Sequence, residues 1–259
     1  MPRSATVNYH IPSDQEQAYH IDAGGERGRI LGPDLAVTEV SVHDLRGVTT
    51  QASFRADSVG FAKQPTSVAN FEDGDGWHET YDRELADLLS RELGATEVIV
   101  FDHTLRIDDP TSGRKPARNV HSDYSADGAH QRLRDILGEE TAQAWEHGHF
   151  GFVNVWRPVG APINSAPLGF VRPSTVRPED WIQIKLIYPD RIGQIMGLVA
   201  RDSHEWLYLS RMAPDEVAIF NIYDNRGLPS VAHSAMDMVE DPDVTVPRKS
   251  VESRTLVRY

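Results

Sequence analysis

The pattern of hydrophobic and polar positions predicts helices in the first part of the chain. Between residues 77 and 93, large apolar residues recur at three- and four-residue intervals, which is typical of an amphipathic helix. Gly94 follows, at a position where a helix C-cap favours a left-handed residue. The same spacing predicts a second helix over about residues 126–145.

Short strands dominate the remaining pattern. They are rich in Val, Ile and aromatic residues, and clusters such as Pro-Asp and Asn-Arg-Gly separate them. The predicted strands are 97–101, 150–156, 181–188, 192–200, 204–209, 216–223 and 250–259. Many short strands without strand–helix alternation predict an antiparallel barrel or sandwich. The fold class is therefore mainly β with flanking helices.

The N-terminal part has a weaker pattern. Its first 35 residues are mixed and polar, and several glycines interrupt any period. We expect residues 1–40 to form an N-terminal arm, extended or built from loose strands. Residues 41–259 are expected to form the helices and the β core of a single domain, 1–259. A chain of 259 residues with 39% hydrophobic content can bury such a core.

Composition excludes several classes of function. The chain has no cysteine, which excludes disulfides, thiolate metal sites and a cysteine nucleophile. A formal charge of −13 would repel a phosphate backbone, so we expect no nucleic-acid partner. No apolar run approaches the roughly 18 residues of a membrane span, and no apolar signal segment is visible at the N-terminus. We therefore expect no membrane partner and a cytoplasmic location.

Without cysteine, a redox metal must be held by histidines and carboxylates. In a facial triad, His-x-Asp or His-x-Glu and a distant His leave three coordination positions open. His-x-acid occurs at His20 and at His121, about as often as chance predicts from 11 histidines and 39 acidic residues. Only His121-Ser122-Asp123 directly precedes a predicted helix and the strand series, and His233 follows a late strand. The predicted ligands are His121, Asp123 and His233.

A dicarboxylate co-substrate such as 2-oxoglutarate also needs a cation, and Arg matches a carboxylate as a bidentate fork. Arg248 and Ser250 lie where the last predicted strand begins. Alternate residues of a strand share one face, so Arg254 is a rival anchor to Arg248. All three are candidate co-substrate contacts.

Four further residues are candidate substrate contacts. Asn154 and Arg157 lie on a predicted strand, although a buried ion pair is an equal alternative for Arg157. Tyr124 is next to Asp123, and Trp206 either belongs to the core or lines a pocket.

Several short segments, taken in order, carry a family resemblance. They are residues 60–61, 100–106, 120–125, 154–158, 166–168, 204–208, 215–216, 223–224, 232–235 and 247–254. Together they resemble the hydroxylase/desaturase proteins related to the cephamycin methoxylation component, which include fungal enzymes of the aspergillic-acid hydroxylase and gibberellin desaturase type. The resemblance covers roughly residues 40–259.

This resemblance implies a non-haem oxygenase that uses Fe(II), 2-oxoglutarate and O₂ on a double-stranded β-helix of the jelly-roll or cupin type. It implies C–H abstraction from a small specialised metabolite, with hydroxylation, desaturation or ring closure as the outcome. The family's metal motif falls on His121, Asp123 and His233, and its Arg-rich segment on Arg248 and Arg254. Ala232 stands where the family usually has Pro, and the aromatic residue expected near Met236 is missing.

Two other classes of function compete with this one. One is a metal-bound barrel with non-oxidative chemistry, such as an isomerase or hydrolase. The other is a non-catalytic binding subunit of a biosynthetic pathway, against which three ligands in register argue. The sequence leaves the substrate, the reaction outcome and the oligomeric state open.

Overall fold

Two β-sheets, four α-helices and three short 3-10 helices make up the regular structure of the residues described by the computed structural model, namely 3–26, 29–48, 52–243 and 245–259. The strands are β1 Arg3–His10, β2 Gln17–Ile21, β3 Ile30–Leu31, β4 Leu35–Asp44, β5 Val59–Lys63, β6 Glu97–Ile107, β7 His121–Ser122, β8 Phe150–Pro158, β9 Leu168–Val171, β10 Trp181–Ile187, β11 Ile192–Leu198, β12 Trp206–Tyr208, β13 Glu216–Asp224, β14 His233–Ala235 and β15 Lys249–Arg258. The helices are α1 Phe54–Asp57, α2 His78–Leu93, α3 Ala126–Leu137 and α4 Glu139–Glu146.

The strands form a ten-stranded and a five-stranded sheet. The larger sheet has the order β1-β4-β12-β9-β14-β7-β11-β10-β2-β3, and the smaller has the order β5-β13-β8-β15-β6. Aromatic and aliphatic residues of both sheets share one buried cluster, to which β8 contributes Phe152 and Trp156, β9 contributes Phe170, and β13 contributes Phe220. Two curled, mostly antiparallel sheets around such a core form a jelly roll. The predicted fold class is confirmed.

Helix α2 covers the outer face of the smaller sheet. Its buried residues, Tyr81, Leu85, Leu88 and Leu89, pack in one cluster with Val153 and Val155 of β8. The helix ends at Gly94, whose φ of 75° is the left-handed conformation that glycine adopts without steric cost. The helix predicted over 77–93 is therefore confirmed.

The prediction of a single helix over residues 126–145 is wrong, because the helix is interrupted at Gly138. This glycine has φ 76° and ψ 162°, which no helix accommodates, and it separates α3 from α4. Its N–H still donates to the Arg134 carbonyl at 2.8 Å. Across the break, the His130 ring contacts the Glu146 carboxylate at 2.7 Å and joins the two helices.

The N-terminal residues take part in the larger sheet. β1 pairs with β4 along all eight of its residues, and its alternate residues Ala5, Val7 and Tyr9 are buried. Residues 3–10 therefore form an ordered strand and not a loose arm, because alternation of apolar side chains lets one face of the strand bury itself. Residues 1, 2, 27 and 28 of the predicted arm lie outside the described residues. A single domain stays a prediction.

Within the residues that the structure describes, no helix is both long enough and apolar enough to cross a membrane.

Candidate metal centre

Two histidines face each other across neighbouring strands of the larger sheet. His121 of β7 and His233 of β14 are register partners in an antiparallel bridge. Directly opposite residues project from the same face of a sheet, and the two ring centroids lie 4.6 Å apart. Both side chains are buried within the protein. Residues far apart in the chain are thus brought together by strand pairing.

The Nε2 atom of each ring is available to bind a metal. His121 Nδ1 lies 2.8 Å from the Asn119 carbonyl oxygen, and His233 Nδ1 lies 3.4 Å from the Val231 carbonyl oxygen. An Nδ1–H that donates to a carbonyl leaves the lone pair on Nε2. Each Nε2 faces Asp123 Oδ1, at 3.5 Å from His121 and 4.0 Å from His233.

The potential ligand atoms of His121, Asp123 and His233 all lie within 4.8 Å of one another. In the described part of the chain, no other three His, Asp or Glu side chains converge in this way. The second His-x-Asp segment, which begins at His20, does not join this group. Two imidazoles and one carboxylate that converge in this way suit a divalent iron with open positions.

Electrostatics favour the metal-binding protonation states. Burial disfavours the ionised carboxylate of Asp123, but the charge of Arg254 and the nearby imidazoles outweigh it and hold the pKa of Asp123 well below its usual range. Burial and the proximity of His121 lower the pKa of His233 to about 4. At neutral pH the site therefore offers an anionic oxygen and a neutral imidazole, the forms that metal ions require.

A small cavity adjoins the two histidines and contains Arg248. The Arg248 side chain is buried, donates from Nη2 to Ser250 Oγ at 3.1 Å, and lies with Cζ 5.1 Å from the Trp156 ring centroid. Its Nε and Nη1 are buried without a hydrogen-bond partner. Burial and the charge of Arg106, a second cation lining the cavity, lower the pKa of Arg248 to about 9. A buried guanidinium with free donors is costly unless an anion reaches it.

Arg254, the rival anchor, has every guanidinium nitrogen occupied. Nε donates to Asp123 Oδ2 at 3.0 Å, Nη1 donates to Asp102 at 2.6 Å, and Nη2 donates to Glu252 at 2.5 Å. Asn154 also contacts Asp123, since its Nδ2 donates to Oδ2 at 2.9 Å. The predicted common face of the last strand is thus observed, but its two arginines have different surroundings.

Two predicted substrate contacts need correction. Arg157 lies on the opposite face of β8 from Trp156, with Cζ 5.4 Å from the Tyr81 ring of α2, and it donates to the Gln64 carbonyl. No salt bridge joins it to a described carboxylate, so the alternative of a buried ion pair is not observed either. Trp206 donates from Nε1 to Tyr9 Oη at 2.9 Å in a separate core cluster. Strand alternation directs both side chains away from the cavity.

Tyr124 remains close to the site. It is half-buried, its ring centroid lies 5.1 Å from that of Phe152, and burial together with Asp123 raises its pKa to about 12. Arg106 and Trp156 also line the cavity, and neither is among the site residues predicted from the sequence. Arg106 is the register partner of Ser250 across β6 and β15, which strand alternation could have indicated once that pairing was known.

Comparison with known proteins assigns the family. A family model described as the oxidoreductase/YMDC permease-like domain matches residues 7–258. The hydroxylase/desaturase CTB9 of Cercospora beticola is 31% identical over 300 residues, covering 99% of this chain and 91% of that protein. The chain belongs to the oxidoreductase/YMDC permease-like family and is related to the hydroxylase/desaturase CTB9. The family relation inferred from the short segments is confirmed.

Two further comparisons indicate the enzyme class. An alpha-ketoglutarate-dependent dioxygenase, phiK of Fungal sp., is 29% identical over 275 residues, covering 98% of this chain and 95% of that protein. The structure of the iron and alpha-ketoglutarate-dependent endoperoxidase NvfI superimposes with a TM-score of 0.88 at 25% identity, covering 99% of this chain and 98% of that one. The protein is an enzyme of the Fe(II)/2-oxoglutarate-dependent dioxygenase class.

Proposed function

We propose that this hydroxylase/desaturase uses Fe(II), 2-oxoglutarate and O₂ to hydroxylate, desaturate or cyclise a small specialised metabolite, with His121, Asp123 and His233 as its iron ligands. One observation carries the proposal. His121 and His233 line the same cavity as Arg248, whose Nε and Nη1 are unpaired, and a ligand oxygen of Asp123 lies within 4.8 Å of the ligand nitrogens of both histidines. A metal and a carboxylate are the two ligands that this combination suits.

The residues of the triad fit Fe(II) in number and kind. Each imidazole has its Nδ1 directed at a backbone carbonyl, so that its Nε2 stays oriented towards Asp123 without a ligand present. Iron bound there with 2-oxoglutarate and O₂ supplies the oxidising power for C–H cleavage, while the protein contributes binding, orientation and exclusion of water. Phe220, whose ring centroid lies 4.8 Å from that of His233, packs an apolar ring against this ligand.

Arg248 and Ser250 are the proposed anchor for the far carboxylate of 2-oxoglutarate. The unpartnered Nε and Nη1 of Arg248 offer charged N–H donors to a carboxylate, and Nη2 already donates to Ser250 Oγ. Ser250 is fully buried, so this end of the cavity is shielded from competing water. Arg254 has no free donor nitrogen, and we do not assign it to the co-substrate.

Of the predicted substrate contacts, we retain Tyr124. It adjoins the metal ligand Asp123 and is half-buried beside Phe152, whereas Arg157 and Trp206 face other parts of the core. The names of the relatives describe hydroxylation, desaturation and endoperoxide formation by those proteins. Because these are reactions of small organic molecules, we propose a substrate of that class for this chain.

The test is an anaerobic titration of the metal-free protein with Fe(II) and then 2-oxoglutarate, followed by the visible metal-to-ligand charge-transfer band. We expect a band in the parent protein and none in His233→Ala. Arg248→Met should weaken 2-oxoglutarate binding by at least tenfold, since it removes charge-assisted hydrogen bonds to the carboxylate. Arg157→Met is the matched control, because Arg157 is an equally buried arginine whose Nε and Nη1 also lack partners.

A charge-transfer band unchanged in Arg248→Met would contradict the proposed anchor. Iron bound without any band in the parent would contradict the use of 2-oxoglutarate and favour non-oxidative metal chemistry. Absence of iron binding would favour a binding subunit. The cytoplasmic location and the absence of nucleic-acid and membrane partners stay predictions from the sequence.

A further inference from the structure

The two oxygens of Asp123 have different environments. Oδ2 accepts hydrogen bonds from Asn154 Nδ2 at 2.9 Å and from Arg254 Nε at 3.0 Å. Oδ1 has neither donor, and it faces the Nε2 atoms of His121 and His233. One oxygen of the carboxylate is therefore engaged by the protein, and the other is directed at the candidate metal position.

The two donor residues, Asn154 and Arg254, belong to a row of register partners across the smaller sheet. Arg254 of β15 is the register partner of Asn154 on β8 and of Asp102 on β6. Arg254 is held from the far side by Asp102 at 2.6 Å and by Glu252 at 2.5 Å. Asp123, in contrast, directly follows β7 of the larger sheet. The row thus reaches across from one sheet and fixes a ligand that the other sheet supplies.

We infer that Asn154 and Arg254 are positioning residues that restrict Asp123 to one-oxygen coordination through Oδ1. This inference rests on the proposed function and adds to it. Binding a metal through both oxygens would require Oδ2 to give up two buried donors, one of them charged, and leaving such groups unpaired is costly.

The restriction has a consequence for the open coordination positions. Three single-atom ligands leave three positions on an octahedral ion, which a chelating keto acid and O₂ would fill. A carboxylate that bound through both oxygens would occupy one of them. The Asn154–Arg254 pair would therefore keep a position available for O₂, and its loss should affect gas binding as well as metal affinity.

The experiment compares Asn154→Leu, Arg254→Lys and the double variant with the parent, using nitric oxide as a stand-in for O₂. Fe(II) affinity is measured by anaerobic titration, and the fraction of Fe(II)/2-oxoglutarate complex that binds nitric oxide is measured by EPR. We expect Fe(II) affinity to fall by about 10–100-fold, as is typical when groups behind metal ligands are lost. At saturating iron, the nitric oxide signal should also fall, most in the double variant.

Asn221→Leu is the matched control. Asn221 is a fully buried amide on the neighbouring strand β13, and it donates to the Leu228 and Pro229 carbonyls and not to a metal ligand. Its loss should lower stability without changing the iron affinity or the nitric oxide signal.

Folded Asn154→Leu and double variants that bind iron and nitric oxide like the parent would overturn the inference while leaving the proposed function intact. A fall in both signals in Asn221→Leu equal to that in Asn154→Leu would also overturn it, because the effect would then follow general loss of packing. If the parent protein showed no charge-transfer band, the proposed function itself would be contradicted.

Discussion

Arg248 and Arg157 are two buried arginines on opposite faces of the same five-stranded sheet. Arg248 lies over the Trp156 ring on the inner face, and Arg157 lies over the Tyr81 ring on the outer face. Each has its Nε and Nη1 unpartnered. Only Arg248 adjoins the cavity beside the histidines. Two similarly buried arginines thus have different surroundings. Arg248 lies beside the candidate ligand site, whereas Arg157 lies under helix α2.

Arg157, on the outer face of the sheet, should tolerate replacement by an apolar residue without loss of stability. We expect Arg157→Met to leave the free energy of unfolding unchanged or to raise it by about 1 kcal/mol, because a buried guanidinium that forms no salt bridge is replaced by an apolar side chain of similar length. Urea denaturation measures this change. A loss of more than about 2 kcal/mol would mean that the bond to the Gln64 carbonyl or the contact with Tyr81 outweighs the cost of burying the charge.

Gly151 is required by the close approach of β8 and β13. A Cβ at this position would lie 2.8 Å from the Tyr223 backbone carbonyl oxygen, which cannot move without disturbing the strand. We expect Gly151→Ala to lower the free energy of unfolding by about 1–3 kcal/mol, the usual cost of overpacking. Gly113→Ala is the control, since no atom lies within 4 Å of its Cβ position and its φ is not positive. Similar stability of the two variants would argue against a steric requirement.

Asp180 should contribute acid-sensitive stability. Burial disfavours its ionised form, but hydrogen bonds from the Arg177 backbone, from Arg201 and from His204 outweigh that effect and lower its pKa. A carboxyl whose pKa is lower in the folded protein stabilises it above the unfolded pKa of about 4, and this contribution is lost as the pH falls through the folded value.

We therefore expect Asp180→Asn to be less stable than the parent at pH 7, with the difference narrowing below about pH 4. Thermal unfolding of both proteins between pH 3 and 7 would measure this difference in stability. A difference that stayed constant over this range would show that the contribution is steric and not electrostatic.

Tyr81 should make the protein sensitive to alkali. Burial is the main cause that raises its pKa to about 12, with Glu84 acting in the same direction and Arg157 opposing. A phenol whose pKa is higher in the folded protein provides its full stability below the unfolded pKa of about 10, and that stability is lost as the pH rises towards the folded value. Unfolding should therefore become easier between about pH 10 and 12.

Tyr81→Phe isolates this effect. The Tyr81 hydroxyl has no hydrogen-bond partner, so its removal should cost little stability at pH 7. Above about pH 10 the variant should lose stability less steeply than the parent, and denaturant titrations at several pH values would compare the slopes. Equal slopes in the two proteins would contradict the prediction.

Local pattern predicted most of the elements of this fold. Alternating apolar residues identified strands such as β8 and β13, and three- and four-residue spacing identified α2 with its glycine end. The break between α3 and α4 was missed because apolar spacing continues on both sides of Gly138, and only the backbone conformation there reveals the turn. β1 was underestimated because its burial depends on pairing with β4, which is not a local property.

The sequence by itself determined the chemical identity of the site. Without cysteine, His121, Asp123 and His233 were the ligands that pattern and family resemblance selected, and they converge in the structure. It could not separate Arg248 from Arg254, because alternate residues of one strand share a face whatever lies opposite. Tertiary structure decided between them. Glu252 lies on the same strand as Arg254, but the other two carboxylates that occupy Arg254 are Asp102 of β6 and the metal ligand Asp123, whereas the nitrogens of Arg248 face a cavity. Charge pairing between segments distant in sequence arises only when the two sheets close on each other.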